Sequence, residues 1–319
     1  MFFYHTYHYV YRMRALWSSA YTYYKTDLNK RYFLILLVIT LTLVYFQEQF
    51  RFAAVVSKSG NQSDLQFIIN WLFYAAAFIG SLLLLIPFSK NKKPFHHRGL
   101  WLTAIFAVSA FAFRIYFYQH QNWLQDFNTT PEFRFWMKCI NNVIRVFTLG
   151  LPVIVFWYFM DRNTQPLYGF STKQLKPKGY LITLLIFSAV VAIAAVEPSF
   201  QKFYPLAEKV LCAAQITENQ TAYTLLFESC YGVDFVTTEF FFRGFLILAF
   251  TKYLGKQIIL PAAFFYVCAH LGKPPAEAIS SLFGGILLSV WVIESKSIWG
   301  GVIIHLGIAW MMELFGYLW

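Results

Sequence analysis

The chain has 319 residues, of which 58% are hydrophobic, 21% aromatic and only 13% charged. A soluble domain carries about 25% charged residues, so this composition excludes an ordinary water-soluble protein. The net charge of +11 does not indicate nucleic acid. Lys and Arg fall mostly in connecting loops beside apolar runs, and no basic helix with interleaved base-stacking aromatics occurs.

Several apolar runs reach the roughly 20 residues needed to cross about 30 Å of hydrocarbon. The expected fold class is therefore all-α: a polytopic transmembrane helical bundle of about nine spans, with eight to ten compatible with the runs. Residues 1–31 set Arg12, Arg14, Lys25, Lys30 and Arg31 among Trp17, Tyr21, Tyr23 and Tyr24. They lack the apolar core and small-residue cleavage site of a signal peptide, and suit a cytoplasmic, headgroup-level arm. Residues 32–221 read as N-terminal transmembrane helices, with spans at about 32–46, 66–88, 99–118, 139–160 and 179–197. Residues 222–319 add spans at about 222–251, 257–271, 275–293 and 297–317. The break at Gly272-Lys273-Pro274-Pro275 predicts a tight or partly re-entrant connection.

Loop charge sets the expected orientation. Lys90, Lys92, Lys93 and Arg98, then Arg162, Lys173, Lys176 and Lys178, then Lys252 and Lys256 alternate with poorer loops. The N-terminus is expected in the cytoplasm and the C-terminus outside. Sequons at Asn61, Asn128 and Asn219 fall in the outer loops. The four cysteines lack zinc-knuckle or CxxC spacing, and Cys212 and Cys230 are the pair that could meet on the outer side.

The chemistry concentrates near the C-terminus. DFVTTEFFFRGFLILAF, from Asp234 to Phe250, places Glu239 and Arg243 four residues apart in an apolar run. On an α-helix that spacing allows an ion pair, and a bilayer demands pairing because lone charges cost several kcal/mol or so. Such a pair serves either as a packing device or as part of a buried reaction site. Of the seven histidines, only His270 and His305 lie inside expected spans, where an imidazole can hydrogen-bond between helices, titrate or polarise water. Small residues recur in the last two spans (Gly284, Gly285, Gly300, Gly301, Gly307, Ala309), which predicts close helix approach. Arg114 and Arg145, one per span, either snorkel to an interface, neutralise a buried carboxylate or line a path for an anion.

Three short motifs in this order resemble the CPBP family of intramembrane proteases, which includes the CAAX prenyl proteases and bacteriocin-processing enzymes. The first family motif, Glu-Glu-x-x-x-Arg, reads Thr238-Glu239-Phe240-Phe241-Phe242-Arg243 here. The second, Phe-x-x-x-His, reads Tyr266 to His270, and the third, His-x-x-x-Asn or His-x-x-x-Asp, reads His305 to Ala309. The resemblance covers about residues 222–319 and implies peptide-bond hydrolysis by water that Glu and His activate. Glu239, Arg243, His270 and His305 are its candidate catalytic residues. Glu239 and His270 would activate water, His305 would stabilise the tetrahedral intermediate, and Arg243 would orient Glu239.

Three positions depart from the pattern, of which Tyr266 in place of Phe is a mild one. The family's first Glu, its general base, is Thr238, and the third-motif Asn or Asp is Ala309. General-base catalysis contributes about 10²–10⁴-fold and an oxyanion donor about 10²–10³-fold, so both losses bear on turnover. Asp234, Glu277 and Glu313 are the other acidic residues nearby, and each also reads as a packing or interfacial carboxylate. The resemblance implies no cofactor. Zinc is the rival, since two His and a carboxylate match its ligands in type, but HExxH is absent. Two functions remain open: an intramembrane endopeptidase acting on a membrane-anchored peptide or protein, or a degenerate relative serving as a binding or assembly subunit beside other membrane subunits. A transporter is disfavoured, because paired half-repeats are absent. Membrane lipids are partners under either reading.

Overall fold

The computed structural model describes residues 16–56, 64–117, 119–124, 130–173, 175 and 177–318. The expected positions at Arg12, Arg14, Asn61, Asn128 and Lys176 lie outside these. Nine long helices run through the described residues, with no named strand among them. They are α1 (Lys30–Phe50), α2 (Asp64–Leu85), α3 (Arg98–Tyr116), α4 (Phe133–Asp161), α5 (Pro177–Ala194), α6 (Gln220–Glu239, continuing to Leu254), α7 (Ile259–His270), α8 (Pro275–Ser295) and α9 (Trp299–Gly316).

Seven of these are long and apolar enough to cross a bilayer: α1 to α5, α8 and α9. The chain is a multi-span helical membrane protein. The other two helices are the innermost. At 12 residues, α7 rises about 18 Å, too short for a 30 Å crossing. It is buried from Ile259 to Cys268, against α8 and α2. In α6 the winding changes at Phe240, and hydrogen bonds of the i to i+5 kind run to Ala249, where ordinary α-helix was expected. Every residue of that stretch is buried.

Local chemistry sets the helix ends. The Asn29 side chain accepts from Tyr32 N at the start of α1, and the His97 ring accepts from Gly99 N at the start of α3. Arg51 and Lys296 end α1 and α8 in left-handed conformation. Between α7 and α8, Gly272 has φ +97°, the left-handed geometry that lets the chain reverse within four residues.

Apolar lipid offers helices no hydrophobic drive to associate, so cohesion rests on side-chain fit. Phenylalanines supply much of it. Phe78, Phe111, Phe241, Phe242 and Phe265 are almost fully buried and meet edge-on or stacked, with ring centroids 5.1–5.5 Å apart for Phe78–Phe265, Phe111–Phe241, Phe111–Phe265 and Phe242–Phe265. Each such pair contributes about 0.5–1.5 kcal/mol beyond the area it buries. Glycines permit close backbone approach. A Cβ at Gly244 would stand 2.7 Å from the Tyr168 carbonyl, and one at Gly307 would overlap Leu184 of α5. The expected close packing of α9 thus extends to α5 as well as to α6 and α8.

The arm is helical over 16–27 in its described part and lies on α8. Trp291 Nε1 donates to the Leu16 carbonyl at 2.9 Å, and Tyr23 is buried. Cys139 and Cys268 are buried, Cys212 is exposed, and all four cysteines are free. At one end of the bundle, buried Asp161 accepts from Lys252 Nζ at 2.5 Å and from the Tyr168 hydroxyl at 2.6 Å. Gly169 O accepts from Ile298 N at 3.0 Å, so one loop clamps the ends of α4, α6 and α9. Asp161→Asn should lower stability by about 1.5–3 kcal/mol, the value of hydrogen bonds to a charged group, read as a lower thermal midpoint in detergent. Tyr168→Phe removes one bond to that carboxylate and should cost about 1.5 kcal/mol, the low end of the same range, in the same measurement.

Candidate functional site

Glu239 sits where α-helical winding gives way to the wider turns of α6, and its side chain is fully buried. Arg243 Nε lies 3.7 Å from Glu239 Oε2, also without exposure, so the pair expected from the four-residue spacing is present. No hydrogen-bond acceptor for any Arg243 guanidinium nitrogen occurs among the described residues. The charge is balanced instead by the carboxylate and by the Tyr266 ring, whose centroid is 4.5 Å from Arg243 Cζ.

The other Glu239 oxygen meets α9. His305 Nδ1 stands 2.9 Å from Glu239 Oε1. An ionised carboxylate only accepts, so Nδ1–H donates and Nε2 carries the lone pair. The Tyr266 hydroxyl donates to that Nε2 at 2.8 Å. Carboxylate, imidazole and phenol thus form one chain across α6, α9 and α7. The approach needs glycine at 301, since a Cβ there would overlap Glu239 Oε2. Phe235 packs edge-on against the His305 ring at 4.5 Å between centroids.

His270 closes the cluster. Its Nδ1–H donates to the Tyr266 carbonyl at 2.9 Å, one turn back on α7, which leaves Nε2 as a lone pair. Its ring is 4.2 Å from Tyr266 and 6.4 Å from His305, centroid to centroid. Glu239, Arg243, His270 and His305, drawn from three helices, therefore stand together. Glu239 pairs with His305, however, and no bond joins it to His270.

These groups border a cavity of about 1220 Å³. Thr238, Arg243, Tyr266, His270, His305 and Ala309 line it, while Glu239 lies behind His305. Adjacent helical residues point about 100° apart, which is why Thr238 meets the cavity and Glu239 does not. The three other carboxylates are engaged. Asp234 accepts from Arg114 at 3.0 Å and from Arg145. Glu277 accepts from the Tyr204 hydroxyl at 3.0 Å and lies 3.6 Å from Lys273 Nζ. Glu313 accepts from Leu206 N at 2.9 Å and Ala207 N at 3.0 Å, capping the short helix Leu206–Ala213. Among the described residues no group of three His, Cys, Asp or Glu has the geometry to hold a metal ion.

Sequence reasoning missed the role of Tyr266. The hydroxyl that distinguishes it from the phenylalanine of the motif was the available signal. It also missed that Arg114 and Arg145 share Asp234.

Residues 222–311 match the family model described as type II CAAX prenyl endopeptidase Rce1-like. No curated protein and no solved structure matches the chain. The match spans α6 to most of α9 and contains every residue of the cluster.

Gly301→Ala should displace the Glu239 carboxylate from His305 and destabilise the protein by about 1–3 kcal/mol, as overpacking does. Gly284→Ala, where a Cβ meets nothing within 4 Å, is the control and should leave the detergent melting midpoint unchanged or higher.

Proposed function

We propose, for a chain whose residues 222–311 form an Rce1-like CAAX endopeptidase family domain in a multi-span membrane protein, that it hydrolyses a peptide bond within or beside the bilayer. The observation that carries this reading is the Glu239–His305 pair at the cavity wall, 2.9 Å apart. A carboxylate that accepts from Nδ1–H fixes the imidazole tautomer, presents Nε2 as the lone pair and faces the imidazolium once a proton arrives. The general base absent at Thr238 is thereby replaced by His305, with Glu239 acting through it. This differs from the roles the motifs alone imply, in which Glu239 itself meets the water.

Once the Tyr266 hydroxyl turns from Nε2, water bound at the cavity face loses a proton to that nitrogen as the water oxygen attacks the scissile carbonyl carbon. The imidazolium then returns the proton to the leaving amine, and the C–N bond breaks. Charge develops on the carbonyl oxygen in between. Ala309 offers it no donor, and the Tyr266 hydroxyl, turning from Nε2, supplies one beside protonated His305. His270, which also lines the cavity, holds the water. Arg243 balances the buried Glu239 charge.

A second reading has its own observation. Thr238 and Ala309 both line the cavity, at the two places where the family motifs carry a carboxylate and an Asn or Asp. Under it the protein binds a membrane-anchored peptide or another membrane subunit without turnover.

The test uses purified protein in nanodiscs, a panel of membrane-anchored peptides, and product detection by mass spectrometry. Cleavage should fall by about 10²–10⁴-fold in His305→Ala and Glu239→Gln, the range for a lost general base. Cleavage unaffected by His305→Ala would reject the assignment. An inert parent that gains cleavage with Thr238→Glu and Ala309→Asn together would favour the second reading.

A further inference from the structure

The same cavity is lined by a second charged centre, built from different residues. Asp234, on α6, receives Arg114 Nη2 of α3 at 3.0 Å to Oδ1 and 3.4 Å to Oδ2, and also Nη1 of Arg145 of α4. All three residues line the cavity. Two guanidinium groups share one carboxylate, so the cluster keeps a surplus positive charge. The side chain of Arg114 is only 13% exposed, and its buried Nε has no hydrogen-bond partner among the described residues. Each guanidinium carries five N–H donors, and Asp234 takes a single nitrogen from each. Uncancelled charge and unused donors therefore stand together on a cavity wall, where the attraction for an anion exceeds that in bulk water.

Part of the cavity lining is apolar. Phe187 and Val190 of α5 and Ile308 and Met312 of α9 line it. The volume of about 1220 Å³ exceeds the roughly 300–1,000 Å³ that drug-sized ligands occupy, leaving room for a chain as well as a head.

We propose that Arg114 and Arg145 form an anion-binding subsite that seats the oxyanion head of a single-chain amphiphile, with its apolar tail along the α5 and α9 wall. The head is a carboxylate or a phosphate, because planar guanidinium forks suit both. Asp234 is the positioning residue that holds the two forks side by side against their mutual repulsion. The subsite needs only the cavity, and stands whether or not the Glu239–His305 pair hydrolyses anything.

Full-length protein in phosphatidylcholine nanodiscs is titrated with octyl phosphate, octanoate, octanol and inorganic phosphate, and saturable binding is read by thermophoresis against empty nanodiscs. One or both octyl anions should bind at least about tenfold tighter than octanol, as hydrogen bonds to charged groups imply, and tighter than inorganic phosphate. The two octyl anions tell a phosphate head from a carboxylate head. Arg145→Gln removes the surplus charge while leaving Arg114 and Asp234 as a neutral pair, and should bring anion affinity down to that of octanol. If that variant melts early, Arg145→Lys keeps the charge but loses the fork, and should bind at an intermediate level. Lys138→Gln, which also lines the cavity, should leave affinity within about twofold, because Lys138 has no part in the paired donor set. Octanol binding as tightly as both anions overturns the subsite. Inorganic phosphate binding as tightly as octyl phosphate overturns the amphiphile. An equal loss in Lys138→Gln and Arg145→Gln overturns the assignment to the arginine pair. Because the readout is binding, a protein that cleaves no peptide can still support the subsite, and a cleaving protein can still refute it.

Discussion

A carboxylate and a guanidinium buried among phenylalanines set the terms for this bundle. Glu239 and Arg243 have no exposure, and neither charge could remain there alone. A lone Arg at the centre of a bilayer helix costs at least about 2.5–3.5 kcal/mol. Their ion pair is weak as a source of stability, since removing both charges from water nearly cancels their attraction. His305 meets the carboxylate and the Tyr266 ring meets the guanidinium, and these contacts tie α9 and α7 to α6.

The same helix repeats that device at Asp234. Five residues separate the two carboxylates, or about 7.5 Å of rise on an α-helix. One gathers cations from α3 and α4, and the other gathers His305 from α9. The two parts of the chain, the shorter with the family motifs and the longer without, are joined through acidic side chains on a single central helix. The apolar packing around them is dense in aromatic rings.

How much of this could be read in the sequence follows from the range of each interaction. The Glu239–Arg243 spacing, the apolar runs and the Gly272 break are local, and the structure has all three. The convergence of His270 and His305 on Glu239 was legible only through the motif order, because no periodicity within α6 says which face meets α9. The Tyr266 hydroxyl passed as a mild replacement for phenylalanine. Its importance depends on His305 standing 2.8 Å away, a contact between residues 39 positions apart. Arg114 and Arg145 were each recognisable as charges in need of a partner, yet nothing in the sequence assigned them the same one. The widened winding of Phe240–Ala249 was hidden as well, since phenylalanine, leucine and isoleucine there suit an ordinary helix equally.

That winding makes the numbering of the central helix an unreliable guide to direction. One additional residue in a turn swings everything beyond it by about 100° relative to a regular helix. Residues before Glu239 and after Ala249 therefore answer to different helical wheels, and a wheel drawn continuously through both would put lipid-facing and inward positions on the wrong sides. Regular winding of the same ten residues would turn Lys252 away from Asp161. The end clamp and the polar cluster are thus coupled through the pitch of the helix as well as by contact.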